Sequence, residues 1–202
     1  MDTAAKAITV LLIMGTMCLS CSGDHSSQKS SELSAMVERS TSMLAELSVR
    51  DTAGVAVALS SLYKSKPLVL VVSLGTDCPM CMMSMKQLSQ QAARIREYGW
   101  NIAALSNDPP EEHHAALYRS SLDSSFVQPG TPFEIPLYSD SNHTVMETLG
   151  CYRRSLDTER HGLFLISKQG AILFSAIDRR PFEQYSLLMD TLRALRPSHN
   201  NQ

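Results

Sequence analysis

Residues 66–99 read KPLVLVVSLGTDCPMCMMSMKQLSQQAARIREYG. The first part, KPLVLVVSLG, is a short, β-branched, nearly continuous apolar run, the mark of a strand buried on both faces. The second part reads as a helix that opens near Pro79 and stops at Gly99. On a 3.6-residue wheel Cys81, Met85, Leu88, Ala92 and Ile95 share one narrow face, which is the core face. Cys78 lies one turn earlier, before the helix proper, where it faces solvent. The two sulfurs are therefore inequivalent, one exposed at a helix start and its mate tucked beneath. A first turn also brings the two α-carbons to roughly 5.5 Å, a span a disulfide can bridge. The helix dipole favours a thiolate at Cys78 by ~0.3–1 kcal/mol, or ~2 where partly buried. That lowers its pKa by roughly one unit from a free value near 8.5. Pro79 brings no N–H donor and Asp77 adds a negative charge, so the expectation is a moderately acidic thiol.

Working outward, AELSVRDTAGVAVALSSL alternates around a Thr-Ala-Gly turn and predicts a β-hairpin. WNIAALS predicts a second buried strand, and Asn107-Asp108-Pro109-Pro110 opens a helix running through Glu111 to Leu122. A loop with Pro129, Gly130 and Pro132 leads to FEIPLYSD and a short helix ending near Gly150. GLFLIS, a Lys-Gln-Gly turn and AILFSAID form a second hairpin. Pro181 begins a last helix with Phe182, Tyr185, Leu188, Leu192 and Leu195 on one side. The order predicts an α/β fold, a mixed central sheet flanked by helices with an N-terminal β-hairpin.

The 202 residues carry a formal net charge of −2. A near-neutral chain without a Lys/Arg stripe has no electrostatic attraction for DNA or RNA, so no nucleic-acid partner is expected. Lys6 precedes the uncharged run AITVLLIMGTMCL, Ala7 to Leu19, too short for a good spanning helix and shaped like a secretory signal peptide. Its end, CLSC, resembles a bacterial lipobox, which implies cleavage after Ser20 and a diacylglycerol on the Cys21 sulfur. Residues 22–34, SGDHSSQKSSELS, bury almost nothing and read as a flexible tether. The expected organisation is a signal peptide at 1–20, a polar tether at 21–42, one domain at 43–197 and a short tail at 198–202. The location this implies is the cell envelope, on the periplasmic side and lipid-anchored to the membrane.

With Cys18 leaving and Cys21 lipidated, Cys78, Cys81 and Cys151 remain in a compartment that permits disulfides. The close pair suits thiol–disulfide exchange, a structural disulfide, or a Cu(I) clamp drawing on Met80, Met82, Met83 and Met85. Met85 belongs to the core stripe and Met82 to its margin, whereas Met83 projects opposite the core among Gln87, Gln90 and Arg94, where it could contact a partner. Cys151, after Leu149-Gly150, reads as a small apolar filler. His113-His114 reads as a solvated surface pair.

Strand, GTDCPMC, core-facing helix and second strand, with the later IPLYSDSNHTVMETLG and ERHGLFLISKQGAILF, resemble the thioredoxin-like redoxins, specifically the alkyl hydroperoxide reductase/thiol-specific antioxidant family. The resemblance covers about Glu46 to Leu195. It implies a thioredoxin-like fold, Cys78 as attacking thiolate, Cys81 as resolving thiol, and no bound cofactor. It also implies a protein disulfide or hydroperoxide as substrate and an electron-donating thiol protein as partner. Peroxiredoxins proper carry a threonine three residues before the peroxidatic cysteine and a proline four before that. Gly75 and Val71 occupy those positions here, with Thr76 one place late, and Asp77 stands where thioredoxins have tryptophan. Before the strand matching LFLIS, thioredoxins carry a cis-proline and peroxiredoxins tend to have Arg-Gly, whereas this chain has His161-Gly162. The resemblance thus implies Arg160 or His161 as a candidate cationic neighbour of the pair, although a charged residue before an edge strand is ordinarily solvated. Copper-delivery proteins of this fold space their cysteines by three residues and add a distant histidine, which leaves copper the lesser alternative. The expected function is thus thiol–disulfide exchange, with peroxide reduction as the alternative.

Overall fold

Seven strands form one mixed sheet in the computed structural model, which describes residues 43–113, 134–178 and 185–195. In chain order the elements are β1 (Ser48–Arg50), β2 (Ala56–Ala58), α1 (Leu59–Tyr63), β3 (Leu68–Val72), α2 (Pro79–Glu97) and β4 (Asn101–Ser106). There follow β5 (Leu137–Ser139), α3 (Thr144–Thr148), β6 (Tyr152–Arg153), a 3-10 turn, β7 (Thr158–Glu159), β8 (His161–Ile166), β9 (Ile172–Asp178) and α4 (Tyr185–Ala194). The sheet order is β2-β1-β5-β4-β3-β8-β9, with β6 and β7 a separate two-stranded ribbon. β3 runs parallel to β4 and β4 to β5, while β3–β8 and β8–β9 are antiparallel.

All five residues of β3 are buried because the strand sits mid-sheet with helices on both faces. Val69 and Val71 face the side where Met85, Leu88, Ala92 and Ile95 of α2 pack with Leu188 and Leu192 of α4. Leu68, Leu70 and Val72 face the other side, against Leu59 and Tyr63 of α1 and Val145 and Met146 of α3. Each fully buried Leu, Ile or Val side chain contributes about 1.5–3 kcal/mol, so this two-faced core fixes where β3 ends and α2 begins. Helix α2 stops as expected. Gly99 takes φ +87°, its N–H donates to the Arg96 carbonyl at 3.0 Å, and the Trp100 N–H reaches Ile95 at 3.2 Å.

The predicted hairpin is β1–β2, with Val49 opposite Val57. Its second strand is shorter than the alternation indicated, because Leu59 to Tyr63 form a helical turn that buries Leu59 and Tyr63. The predicted hairpin at 162–178 is β8–β9. Leu188 and Leu192 lie in the core as the last helix's pattern required, but Leu195 is exposed, past the end of the packed face. The helix opened by Pro109-Pro110 is described only as far as His113, and Phe182 lies outside the described residues. So do residues 1–42, with Cys21, and 198–202. Among the described residues no helix is long and apolar enough to cross a membrane.

Candidate active site

The chain leaves β3 at its C-terminal end and turns through Ser73–Asp77 into α2. Ser73 still donates its N–H to the Leu105 carbonyl at 2.8 Å, so the turn starts from a fixed point. Cys78 is the N-cap of α2, with extended backbone (φ −91°, ψ 104°), and its sulfur accepts the Cys81 N–H at 3.2 Å. Pro79 occupies the first helical position, where a missing N–H costs nothing. The two cysteines form a disulfide across an α-carbon separation of 5.2 Å. Cys78 is half-buried and Cys81 fully buried, the asymmetry the helical wheel implies.

Beneath the pair lies His161. Its Nε2 is 3.1 Å from the Cys81 sulfur, and the residue is 7% exposed. This corrects the expectation of a solvated charge before an edge strand. β8 lies between β3 and β9, and the edge belongs to β9. The register pairs Gly162 with Val72, the last residue of β3. His161 therefore stands just past the end of β3, where the chain turns toward Cys78. Arg160, the other candidate, is exposed.

A polar cluster anchors the turn from behind. Asp108 Oδ2 accepts the Thr76 N–H at 2.7 Å and the Ser106 hydroxyl at 3.0 Å, and lies 3.5 Å from His113 Nε2. His113 Nε2 is also 2.7 Å from the Ser106 hydroxyl. Burial pushes the Asp108 carboxyl up, but hydrogen bonds from His113, Thr76 and Ser106 outweigh it and hold the group below the usual carboxylate range. His113 is 2% exposed, so it is not the solvated residue the His-His pair indicated, and His114 lies outside the described residues. Gly75 takes φ +103°, and a β-carbon there would run into the Asp108 carboxylate. Glycine is thus required by the close approach of the loop to its anchor.

Cys151 is free, buried against β8, and its thiol is pushed by burial up to about 12. It is filler, as expected. Among the methionines, Met85 is core and Met82 packs at its edge. Met83 is half-buried, and of the four methionines around the pair the solvent-facing one is Met80, 61% exposed between the two cysteines. Cys78, Cys81 and His161 form the one group among the described residues whose His, Cys or carboxylate donor atoms converge enough to hold a metal ion, all within 4.8 Å of one another.

A buried parallel strand feeding a C-x-x-C at a helix N-terminus, flanked by an antiparallel strand, defines a thioredoxin-like redoxin, a thiol-dependent oxidoreductase or peroxidase. The model of the AhpC/TSA family matches residues 41–175, and the chain belongs to that family. No curated protein sequence matches it. Among solved structures it is similar to the peroxidoxin BcpB of Mycobacterium tuberculosis, with 21% identity, a TM-score of 0.62, and 75% of this chain and 94% of that one covered. Peroxiredoxin Q of Xanthomonas campestris has 14% identity and a TM-score of 0.63 over 77% and 95%. Peroxiredoxin 6 of Arenicola marina has 15% identity and a TM-score of 0.63 over 77% and 72%. At these identities the likeness concerns the fold.

Proposed function

We propose that the protein is an exported, membrane-tethered thiol–disulfide oxidoreductase in which Cys78 is the nucleophile and Cys81 the resolving thiol. The observation that carries this is the asymmetric pair: Cys78 at the helix N-cap reaches solvent, while Cys81 lies sealed beneath it against His161. In the reduced protein the Cys78 thiolate attacks one sulfur of a substrate disulfide. That bond breaks, the distal sulfur leaves as a thiolate and takes a proton from solvent, and a mixed disulfide forms on Cys78. Cys81 then gives its proton to His161 Nε2, attacks the Cys78 sulfur and expels the reduced substrate, closing the internal disulfide. Two electrons from a donor thiol protein reset the pair.

Family membership favours a second reading. Cys78 attacks a hydroperoxide and becomes a sulfenic acid, releasing an alcohol or water. Cys81 condenses with it, releasing water and forming the same disulfide. Gly75 and Val71 stand where peroxiredoxins proper carry threonine and proline, which favours disulfide over peroxide as the better electrophile.

Insulin-reduction turnover and hydroperoxide consumption, each with Cys78→Ser and Cys81→Ser, rank the two. Faster insulin turnover, abolished in Cys78→Ser, supports disulfide exchange. Efficient peroxide consumption without insulin turnover replaces it by peroxidase activity. Disulfide loss that lowers only the melting temperature, with neither activity, removes both. A lipid on Cys21 would hold the domain on the periplasmic side of a membrane. Loss of membrane association and of fatty-acid labelling in Cys21→Ser is the expected result, and unchanged labelling contradicts it.

A further inference from the structure

We infer that the reduced site is also a binding site for a single Cu(I) ion, held by Cys78 Sγ, Cys81 Sγ and His161 Nε2. The three atoms lie within 4.8 Å of one another although they come from a helix N-terminus and from a strand 80 residues further on. A three-coordinate ion with bonds of about 2.0–2.3 Å needs its donors about 3.5–4 Å apart. Opening the disulfide lets the two sulfurs separate to that distance around an unchanged first turn. Two thiolates and an imidazole are a soft set, matched to Cu(I). Among the described residues no fourth His, Cys or carboxylate donor joins the three, one short of the closed tetrahedral shell of structural zinc.

The surroundings suit the product. Two thiolates, a neutral imidazole and Cu(I) carry one net negative charge, placed at the positive end of the 19-residue α2. The Cys81 N–H donates to the Cys78 sulfur, a contact that orients a thiolate ligand. Burial of Cys81 and His161 keeps water from two of the three donors, while half-buried Cys78 leaves one side open for exchange of the ion. Met85 is turned into the core and Met82 packs at its margin, away from the donors.

Binding is gated by oxidation state. A dithiol donor delivers two electrons and two protons, the S–S bond breaks, and the donor becomes a disulfide. Cu(I) then displaces both thiol protons to solvent and forms two Cu–S bonds and one Cu–N bond, with no change in the metal's charge. The disulfide form has no thiolate to offer. The site uses the proposed catalytic cysteines, so metal loading and thiol exchange exclude one another.

The test is anaerobic transfer of Cu(I) from a chromogenic chelator to the full chain, reduced by a phosphine and desalted. One equivalent per chain is expected, with none taken by the oxidised protein or by Cys78→Ser and Cys81→Ser. His161→Gln should weaken binding by about tenfold or more. X-ray absorption of the loaded wild-type protein should read two sulfurs and one nitrogen, which keeps the assignment testable if His161→Gln fails to fold. Copper left on the chelator, or sulfur-only coordination, overturns the inference. Insulin and hydroperoxide turnover on the same metal-free sample separates the claims. Turnover without Cu(I) uptake sinks this site alone, whereas Cu(I) uptake without turnover sinks the proposed enzyme and leaves the site standing.

Discussion

At the scale of single residues, the contact between His161 Nε2 and the Cys81 sulfur decides most. A thiol as buried as Cys81 has no water to take its proton, and the imidazole at 3.1 Å is the group that can. His161→Gln keeps a polar side chain but no comparable base. It should prolong the Cys78 mixed disulfide by about 10²-fold, seen as slower release of a thiol-labelled substrate, while formation of the adduct is spared. Equal slowing of both steps would assign His161 to structure alone. Cys151 makes the opposite case. Held at about 12, its thiol stays protonated at neutral pH. Iodoacetamide at pH 8 should therefore label Cys78 in the reduced native protein and leave Cys151 unlabelled until the chain is denatured. Asp108 sets an acid limit. Its folded pKa is depressed below the ordinary 3.8, so its stabilisation is present above that value and lost as pH falls through the folded one. Asp108→Asn should cost about 1–3 kcal/mol near neutrality, and the difference from the parent should shrink below about pH 4 in denaturant titrations.

At the scale of elements, α2 and β3 act as one part: the strand fixes the height at which the helix begins, and the helix's core face fixes its rotation. Leu88 is 1% exposed in that face, and Leu88→Ala should lower stability by about 2–5 kcal/mol in urea unfolding. These elements were legible in sequence because burial on both faces writes a continuous apolar run and burial on one face writes a 3.6-residue stripe. Cys78 and Cys81 were legible for the same reason, since their phase relative to Leu88 and Ile95 is local information. His161 and His113 were not. Each looks polar and terminal along the chain, and its burial follows from long-range placement: the Gly162–Val72 pairing for His161, the Asp108–Ser106 cluster for His113. Strand order carries that information, and no local period encodes it. Leu195 shows the converse, an apolar residue in phase with α4 but beyond the reach of the sheet.

At the scale of the whole molecule, a two-faced core holds the centre of the sheet, and the cysteine pair with His161 sits where β3, α2 and β8 meet at its end. The chain belongs to a family of thiol-dependent redox proteins, and in its loop Ser73–Asp77 Gly75 is pressed onto Asp108. One surface-reaching sulfur over one sealed sulfur is the feature from which both exchange chemistry and metal capture would follow. The most direct measurement is mass spectrometry of reduced Cys81→Ser incubated with a disulfide-bonded substrate. The account predicts a persistent mixed disulfide on Cys78, reversed by dithiol, and none in Cys78→Ser. An adduct on Cys151, or no adduct from a Cys78 that iodoacetamide cannot reach, would contradict it.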